Sequence, residues 1–426
     1  MKKRLIYLIL YIFLSVPVIL AQGIKAGAAK RVITPDRLIP ISGGMGTPEV
    51  PTGKAGNLFA RAIVVEKNNI RIAIVSVDNL GWPAYLGNQS RKLIKGIPPE
   101  NILIGATHTH SAPDAYGFPD ENGNTGADMK YLEWCIQQIA DAVNEASSNL
   151  RQVVLKSAVG EARGKIAYNY YAEKLYDPRC GVIQFIESAG PSKGKIMATL
   201  VNYAIHPEVM GTDGKTIGPD LCGPLYDRIE GKGGGMAIFM NSAQGGMVTA
   251  DTRLDNGREA NDWNECIRIG NLLADEALRI IEPAPVQDDP DLYCTARTIC
   301  FPVESEDMQA VFRYSPVAVK YRNGEQDFTT VTAQLNLINL GKVQILTIPG
   351  EALPNIGYYV KRKMKTGQPF LFGLTNDAFG YMLTKEDFGG FERYNYVSRT
   401  SLGEMTGTIY EDEAVKLVND SPAAQK

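Results

Sequence analysis

Two periodicities of apolar residues run along the chain. Residues 60–66 (ARAIVVE) and 71–77 (RIAIVSV) are rich in β-branched side chains and flank a short polar KNN, which predicts a β-hairpin. Residues 102–106 (ILIGA) form an apolar run that predicts a buried strand. The period then changes. Leu132, Ile136, Ile139, Val143 and Ala146 recur at helical spacing, with Asp128 as the expected N-cap. Strands are expected at 152–158 and 181–187, and the run KIMATLVNYAI leads directly into His206. A short helix is expected near 221–230, before the turn GKGGG. MAIFMNSAQGG reads as a strand that enters a glycine loop. Ile269, Leu273, Ala277 and Ile280 mark a second long helix, which stops before Pro283.

From about residue 290 alternation dominates. Val331, Ala333, Leu335 and Leu337 alternate with Thr332, Gln334 and Asn336, and a turn at Gly341 leads into KVQILTIPGE. This predicts a half-buried antiparallel hairpin. A helix over 354–365 and a strand PFLFGLTND follow. Helices alternating with strands, with hairpins at both ends, predict an α/β fold of mixed α+β character, with mixed sheets and flanking helices. No internal sequence repeat is visible. The stretch 283–290 (PAPVQDDP) is linker-like, yet candidate site residues lie on both sides of it, so one large catalytic domain over 22–426 is expected.

The opening MKKRLIYLILYIFLSVPVILAQG has a basic start, an apolar run and a small residue at its end. That is the layout of a signal peptide over 1–21, cleaved after Ala21; the alternative is a transmembrane anchor. The expected location is the periplasm or the medium. The 44 basic and 47 acidic side chains leave a net charge of −3, which gives no basic face for nucleic acid. Six scattered cysteines exclude a dense disulfide framework. Cys135 and Cys266 fall on apolar helix faces as buried thiols, and Cys294 with Cys300 is the one close pair.

Chemistry concentrates in the histidines, of which there are three. His108 and His110 stand two apart in GATHTHSAPD, a spacing that puts both on one face of an extended segment. His206 follows another apolar run in NYAIHPE. All three come directly after predicted strands, where sheet-based sites collect. They are either hydrogen-bonded loop histidines or a metal set. Zinc hydrolases often add a carboxylate to two histidines. Glu351, after the Pro-Gly turn of LTIPGEAL, is one candidate; Asp114, Glu208, Asp220 and Asp377 compete with it. The loop 241–251 (NSAQGGMVTAD) has paired glycines that let backbone approach a ligand. It fits neither a P-loop nor a dinucleotide fingerprint, there is no nucleophile elbow, and nothing local marks Ser111 as a nucleophile.

Five of these segments, in order, resemble the neutral (non-lysosomal) ceramidase family. GATHTHSAPD is similar to its T-H-T-H-S-G-P segment, and NYAIHPEVMG to its strand ending in His-Pro. NSAQGGMVTAD resembles its N-x-x-x-G-D-V-S-P-N loop, IPGEAL its P-G-E-F segment, and LTNDAFGYMLTKEDF its G-Y-x-T-T segment. The resemblance spans roughly residues 27–415. It implies a zinc ion held by His108, His206, Glu351 and Tyr381, with His110 as general base beside the attacking water. It also implies an oxyanion donor, Tyr381 or Tyr396, and a substrate pocket lined by Gln244, Gly245, Gly246 and Thr249. The implied reaction is hydrolysis of the N-acyl bond of ceramide or a similar sphingolipid. A lipid substrate implies peripheral membrane contact at most, and no obligate protein partner is evident.

Three features depart from the pattern. The loop serine is lost or replaced by Thr249. The segment that carries an arginine in the ceramidases reads GKIAYNYYAE, with Tyr170 near that place. The family's C-terminal immunoglobulin-like module is expected to be absent. Hydrolysis of another N-acyl or ester substrate on the same fold, and non-catalytic binding of a lipid or glycan, are the alternatives.

Overall fold

The hairpin forms as Phe59–Lys67 and Ile70–Val77, joined by a two-residue turn in which Asn68 takes the left-handed φ of 54°. Lys25–Val32 pairs antiparallel with its first strand, and Ile102–Ala106 pairs parallel with its second. Parallel pairing needs a crossover, which helix Ala84–Leu93 supplies. Helix Met129–Ser148 then packs on Lys25–Val32 and Phe59–Lys67. It buries Leu132, Ile136, Ile139, Val143 and Ala146, and the Asp128 carboxylate accepts from the amides of Lys130 and Tyr131. The computed structural model describes residues 23–426 except 45–47, 121, 211–215 and 323–326. The expected signal peptide lies outside the described residues.

The same arrangement returns twice. In the second copy Arg151–Glu161, Arg179–Glu187 and Ile196–Tyr203 are antiparallel neighbours, helix Cys222–Gly231 crosses over, Met236–Asn241 adds in parallel, and helix Trp263–Ile281 closes the unit. In the third, Leu292–Pro302, Thr330–Leu340 and Val343–Thr347 are antiparallel. Helix Pro354–Lys363 crosses over, Gln368–Phe372 adds in parallel, and helix Thr406–Asp420 closes it. What the copies share is the order and burial of their elements, so no repeat shows in the residues themselves.

The first two copies join into one sheet through a short pairing of Lys25 with Gln152 and Ala26 with Arg151. The third copy's sheet covers the inner face of that sheet. Ile63, Ile74, Leu103, Phe185 and Leu200 meet Ile338, Ile345, Phe370 and Phe372 there in one buried cluster. Helices cover both outer faces. The result is a single mixed α/β domain in four layers, helix, sheet, sheet, helix.

The linker-like stretch 283–290 is no boundary. Val286 and Gln287 add a short strand to Arg151–Glu161, which ties the segment into the sheet. All six cysteines are unpaired. Cys294 and Cys300 lie six apart on one strand, roughly 20 Å along it, too far for a disulfide. Among the described residues no helix is long and apolar enough to cross a membrane.

The fourth strands of the three copies converge. Ala106 N donates to Leu374 O at 3.1 Å, Gly373 N to Asn241 O at 3.0 Å, and Asn241 Nδ2 to Thr107 O at 3.0 Å. This closeness requires glycine at two points. A Cβ on Gly105 would stand 2.4 Å from Thr375 Oγ1, and one on Gly373 would stand 2.1 Å from Ser242 O. The strand ends of all three copies therefore open onto one place.

Candidate metal centre

Each candidate ligand comes from beyond the carboxyl end of a third or fourth strand. His108 and His110 follow Ile102–Ala106, His206 follows Ile196–Tyr203, Glu351 follows Val343–Thr347, and Tyr381 lies beyond Gln368–Phe372. Glu351 and Tyr381 then pair with each other in a two-residue parallel ladder.

Two histidines are aimed by backbone carbonyls. His108 takes φ 72°, unusual for a non-glycine residue. Its amide donates to Asn79 O at 2.9 Å, and its ring Nδ1 lies 2.6 Å from Leu80 O. Val248 O receives both the amide of His206, at 2.8 Å, and its Nδ1, at 2.9 Å. A carbonyl only accepts, so each ring carries its proton on Nδ1 and presents a lone pair at Nε2. Those Nε2 atoms stand 3.4 Å and 3.3 Å from Glu351 Oε2. His206 Nε2 and Glu351 Oε2 are fully buried and have no hydrogen-bond partner among the described residues. Buried polar atoms without partners are rare. Two atoms bound to a tetrahedral ion by bonds of about 2.0–2.1 Å stand roughly 3.3 Å apart, so these spacings suit a shared metal. His108, His110 and His206 each bring one ring nitrogen within 4.8 Å of the others. A metal fits this donor set.

Burial and neighbouring charges set the protonation of these groups. Burial pushes the imidazoles of His108 and His110 down to about 3, which keeps both neutral. Burial also works against a charge on His206, but the Glu351 and Glu208 carboxylates outweigh it and raise its pKa. Burial would raise the Glu351 carboxyl, but His108 and then His206 bring it below its ordinary value. Burial, then the Glu351 charge, raises the Tyr381 phenol well above the usual range; its O–H donates to Met247 Sδ at 3.3 Å.

Most competing carboxylates are structural. Asp114 accepts from the amides of Tyr116 and Gly117, Asp220 from Met210 and Leu221, and Asp377 from Ala84 and Ala378. Glu208 differs, with its Oε2 standing 3.6 Å from His110 Nδ1. His110 Nε2 is 3.3 Å from His108 Nε2, so His110 borders the same spot.

The expected substrate loop serves partly as scaffold. A Cβ on Gly245 would stand 2.1 Å from Glu351 O, and Gly245 N donates to Ala352 O at 3.0 Å. Gly246, at φ 68°, packs on Leu353, and Gln244 is buried. Thr249 pairs with Tyr168 and bridges to His206. Tyr396 does face the cleft. It lines a small opening with His108, His110, Glu351 and Tyr381. A cavity of about 370 Å³ adjoins that opening and shares the walls Tyr116, Phe118, Met308, Ala378 and Phe379.

Sequence reasoning missed Asn241. Its Nδ2 donates to Thr107 O at 3.0 Å and Ile205 O at 2.7 Å, the carbonyls just before His108 and His206. The available signal was an amide side chain ending an apolar strand.

No protein-family model matches the sequence, and no curated protein is similar enough to match. Solved structures do match, among them two ceramidases. A neutral ceramidase from Pseudomonas aeruginosa superposes with a TM-score of 0.75 at 17% identity, over 95% of this chain and 76% of that one. A ceramidase complexed with C2 superposes with a TM-score of 0.72 at 17% identity, over 95% and 77%. The three strand-end clusters thus converge within a fold that this chain shares with neutral ceramidase.

Proposed function

We propose that this chain is an exported zinc-dependent hydrolase of the N-acyl bond of ceramide or a similar sphingolipid. One observation carries the reading: Nε2 of His108 and of His206, each with Nδ1 tied to a carbonyl, face Glu351 Oε2 at 3.4 Å and 3.3 Å. The fold shared with a neutral ceramidase supports the reaction class. The basic and apolar opening of the sequence supports export.

His108, His206 and Glu351 would hold the ion, with Tyr381 as a fourth ligand. Zinc in such a site polarises a carbonyl and makes water more acidic. His110, neutral and facing the same spot, accepts a proton from the water as its oxygen joins the acyl carbon. It then gives that proton to the amine nitrogen as the C–N bond breaks, leaving a carboxylic acid and a free amine. Tyr396, which lines the cleft, would donate to the oxyanion.

The test is metal analysis of the purified protein together with N-acylsphingosine hydrolysis, repeated on two variants. His108→Ala is expected to lose both metal and activity. His110→Ala is expected to keep the metal and lose roughly 10²–10⁴-fold in turnover. An active His110→Ala would rule out the assigned base, and metal-free wild type would rule out the zinc reading. Processing is checked by the N-terminal sequence of the exported protein, expected to start at Gln22.

A second reading, another N-acyl substrate with a more polar body, is favoured by the cavity that adjoins the cleft. Asn88, Thr330, Thr332 and Asp377 line it beside the aromatic walls. A bare hydrocarbon would displace water from the exposed Thr330 and Thr332 without replacing its hydrogen bonds. Comparing release of fatty acid from ceramide with release from acylated amino acids separates the two.

A further inference from the structure

His110 Nδ1 is fully buried and has no hydrogen-bond partner among the described residues. Two things border it. Gly43 lies on one side, where an added Cβ would stand 3.5 Å from the nitrogen. Glu208 lies on another, with Oε2 at 3.6 Å, and both side chains are largely shielded, at 8% exposure for His110 and 15% for Glu208. The pairing is built into the backbone. His110 N donates to Pro207 O at 3.1 Å, and Glu208 N turns back to His206 O at 3.0 Å. Glu208 is thus delivered to His110 by the segment that delivers His206 to the metal site.

We infer that Glu208 is the positioning residue for His110, accepting its Nδ1–H so that the Nε2 lone pair faces the spot bordered by His108 and Glu351. A carboxylate only accepts, so it selects the Nδ1–H tautomer, as Leu80 O and Val248 O do for the other two histidines. The 3.6 Å separation is longer than a hydrogen bond, and contacts of this kind tighten when a site is filled. All three imidazoles then carry the proton on Nδ1 and turn Nε2 inward. The inference rests on the reading of His110 as proton acceptor.

The test uses the three-histidine chain in its zinc-loaded form. Long-range ¹H–¹⁵N correlation spectra report which ring nitrogen of each histidine carries the proton, with no substrate needed. The wild type is expected to show His110 protonated at Nδ1. Glu208→Ala is expected to lose that preference while zinc stoichiometry and the His108 and His206 signals stay unchanged; Glu208→Asp is expected to restore it. On a substrate that the wild type hydrolyses, Glu208→Ala is expected to lower kcat by about tenfold to a hundredfold with little change in KM, and Glu208→Asp to recover part of it. An unchanged His110 tautomer in Glu208→Ala overturns the inference. So does loss of zinc in that variant, which would make Glu208 a ligand. The spectra remain decisive even if no N-acyl substrate is found, so failure of the hydrolase reading and failure of this one are told apart.

Discussion

Glu351 and Tyr381 are register partners in a two-residue parallel ladder, so backbone pairing sets their side chains next to each other. Glu351 N donates to Gly380 O at 2.8 Å, and Leu353 N to Met382 O at 3.1 Å. Partners in register point to the same side of a ladder. A carboxylate and a phenol thirty residues apart in sequence are thereby brought to one edge of the histidine cluster.

If Tyr381 is the fourth ligand, Tyr381→Phe weakens zinc by roughly tenfold or more while the ladder and the fold persist. Competition against a chromophoric chelator measures this. Unchanged affinity would leave Tyr381 as a hydrogen-bond donor and no ligand.

Gly245→Ala tests whether the loop is scaffold. Its Cβ would fall 2.1 Å from Glu351 O, a backbone atom that cannot swing aside. Overpacking of this kind costs about 1–3 kcal/mol, and relief requires Glu351 to move. The variant is expected to melt several degrees lower and to bind zinc more weakly. Wild-type zinc affinity in Gly245→Ala would show that Glu351 does not depend on this contact.

Asn241→Ala removes the two donors to Thr107 O and Ile205 O. Each buried carbonyl left unpaired costs about 1–3 kcal/mol. Chemical denaturation is expected to show a loss on the order of 2–5 kcal/mol. The two histidine loops, then joined by fewer hydrogen bonds, are expected to hold zinc less tightly. A loss below about 1 kcal/mol would mean that the carbonyls find other partners.

Asp377 governs a pH dependence. Burial raises its carboxyl to about 7, although the amides of Ala378 and Ala84 and the charge of Arg91 lower it. In the unfolded chain it titrates near 4. A folded pKa above the unfolded one contributes stability that is complete below about pH 4 and is lost as the pH rises towards 7. Asp377→Asn removes this loss, so the melting temperature of the variant minus that of the wild type is expected to climb between pH 4 and 7. A flat difference would mean that Asp377 is ionised in the folded protein throughout.

Much of the fold was legible because burial is a local property of a strand or helix. Asp128 caps its helix, and the two long helices bury the residues their spacing marked. The strand at 102–106 ends where its apolar run ends, and the strand before His206 stops at Tyr203, two residues short of the end of its run. Other parts carried no such mark. The first strand Lys25–Val32 is rich in alanine, and the threefold recurrence of the unit lies in the order of elements. The apparent linker at 283–290 is polar because it forms a sheet edge, and only its pairing with Lys156 and Leu155 shows it.

The sequence by itself determined that three histidines follow buried strands and that Glu351 follows another, since a strand's end is written in its own residues. It could not choose among five carboxylates, because that choice depends on which amides each one meets across the fold. It could not assign the ring nitrogens either. Leu80 O is 28 residues from His108, and Val248 O is 42 from His206. Only the convergence of three strand ends from three separate units brings those carbonyls, and Glu208 beside His110, to the places where they select a proton.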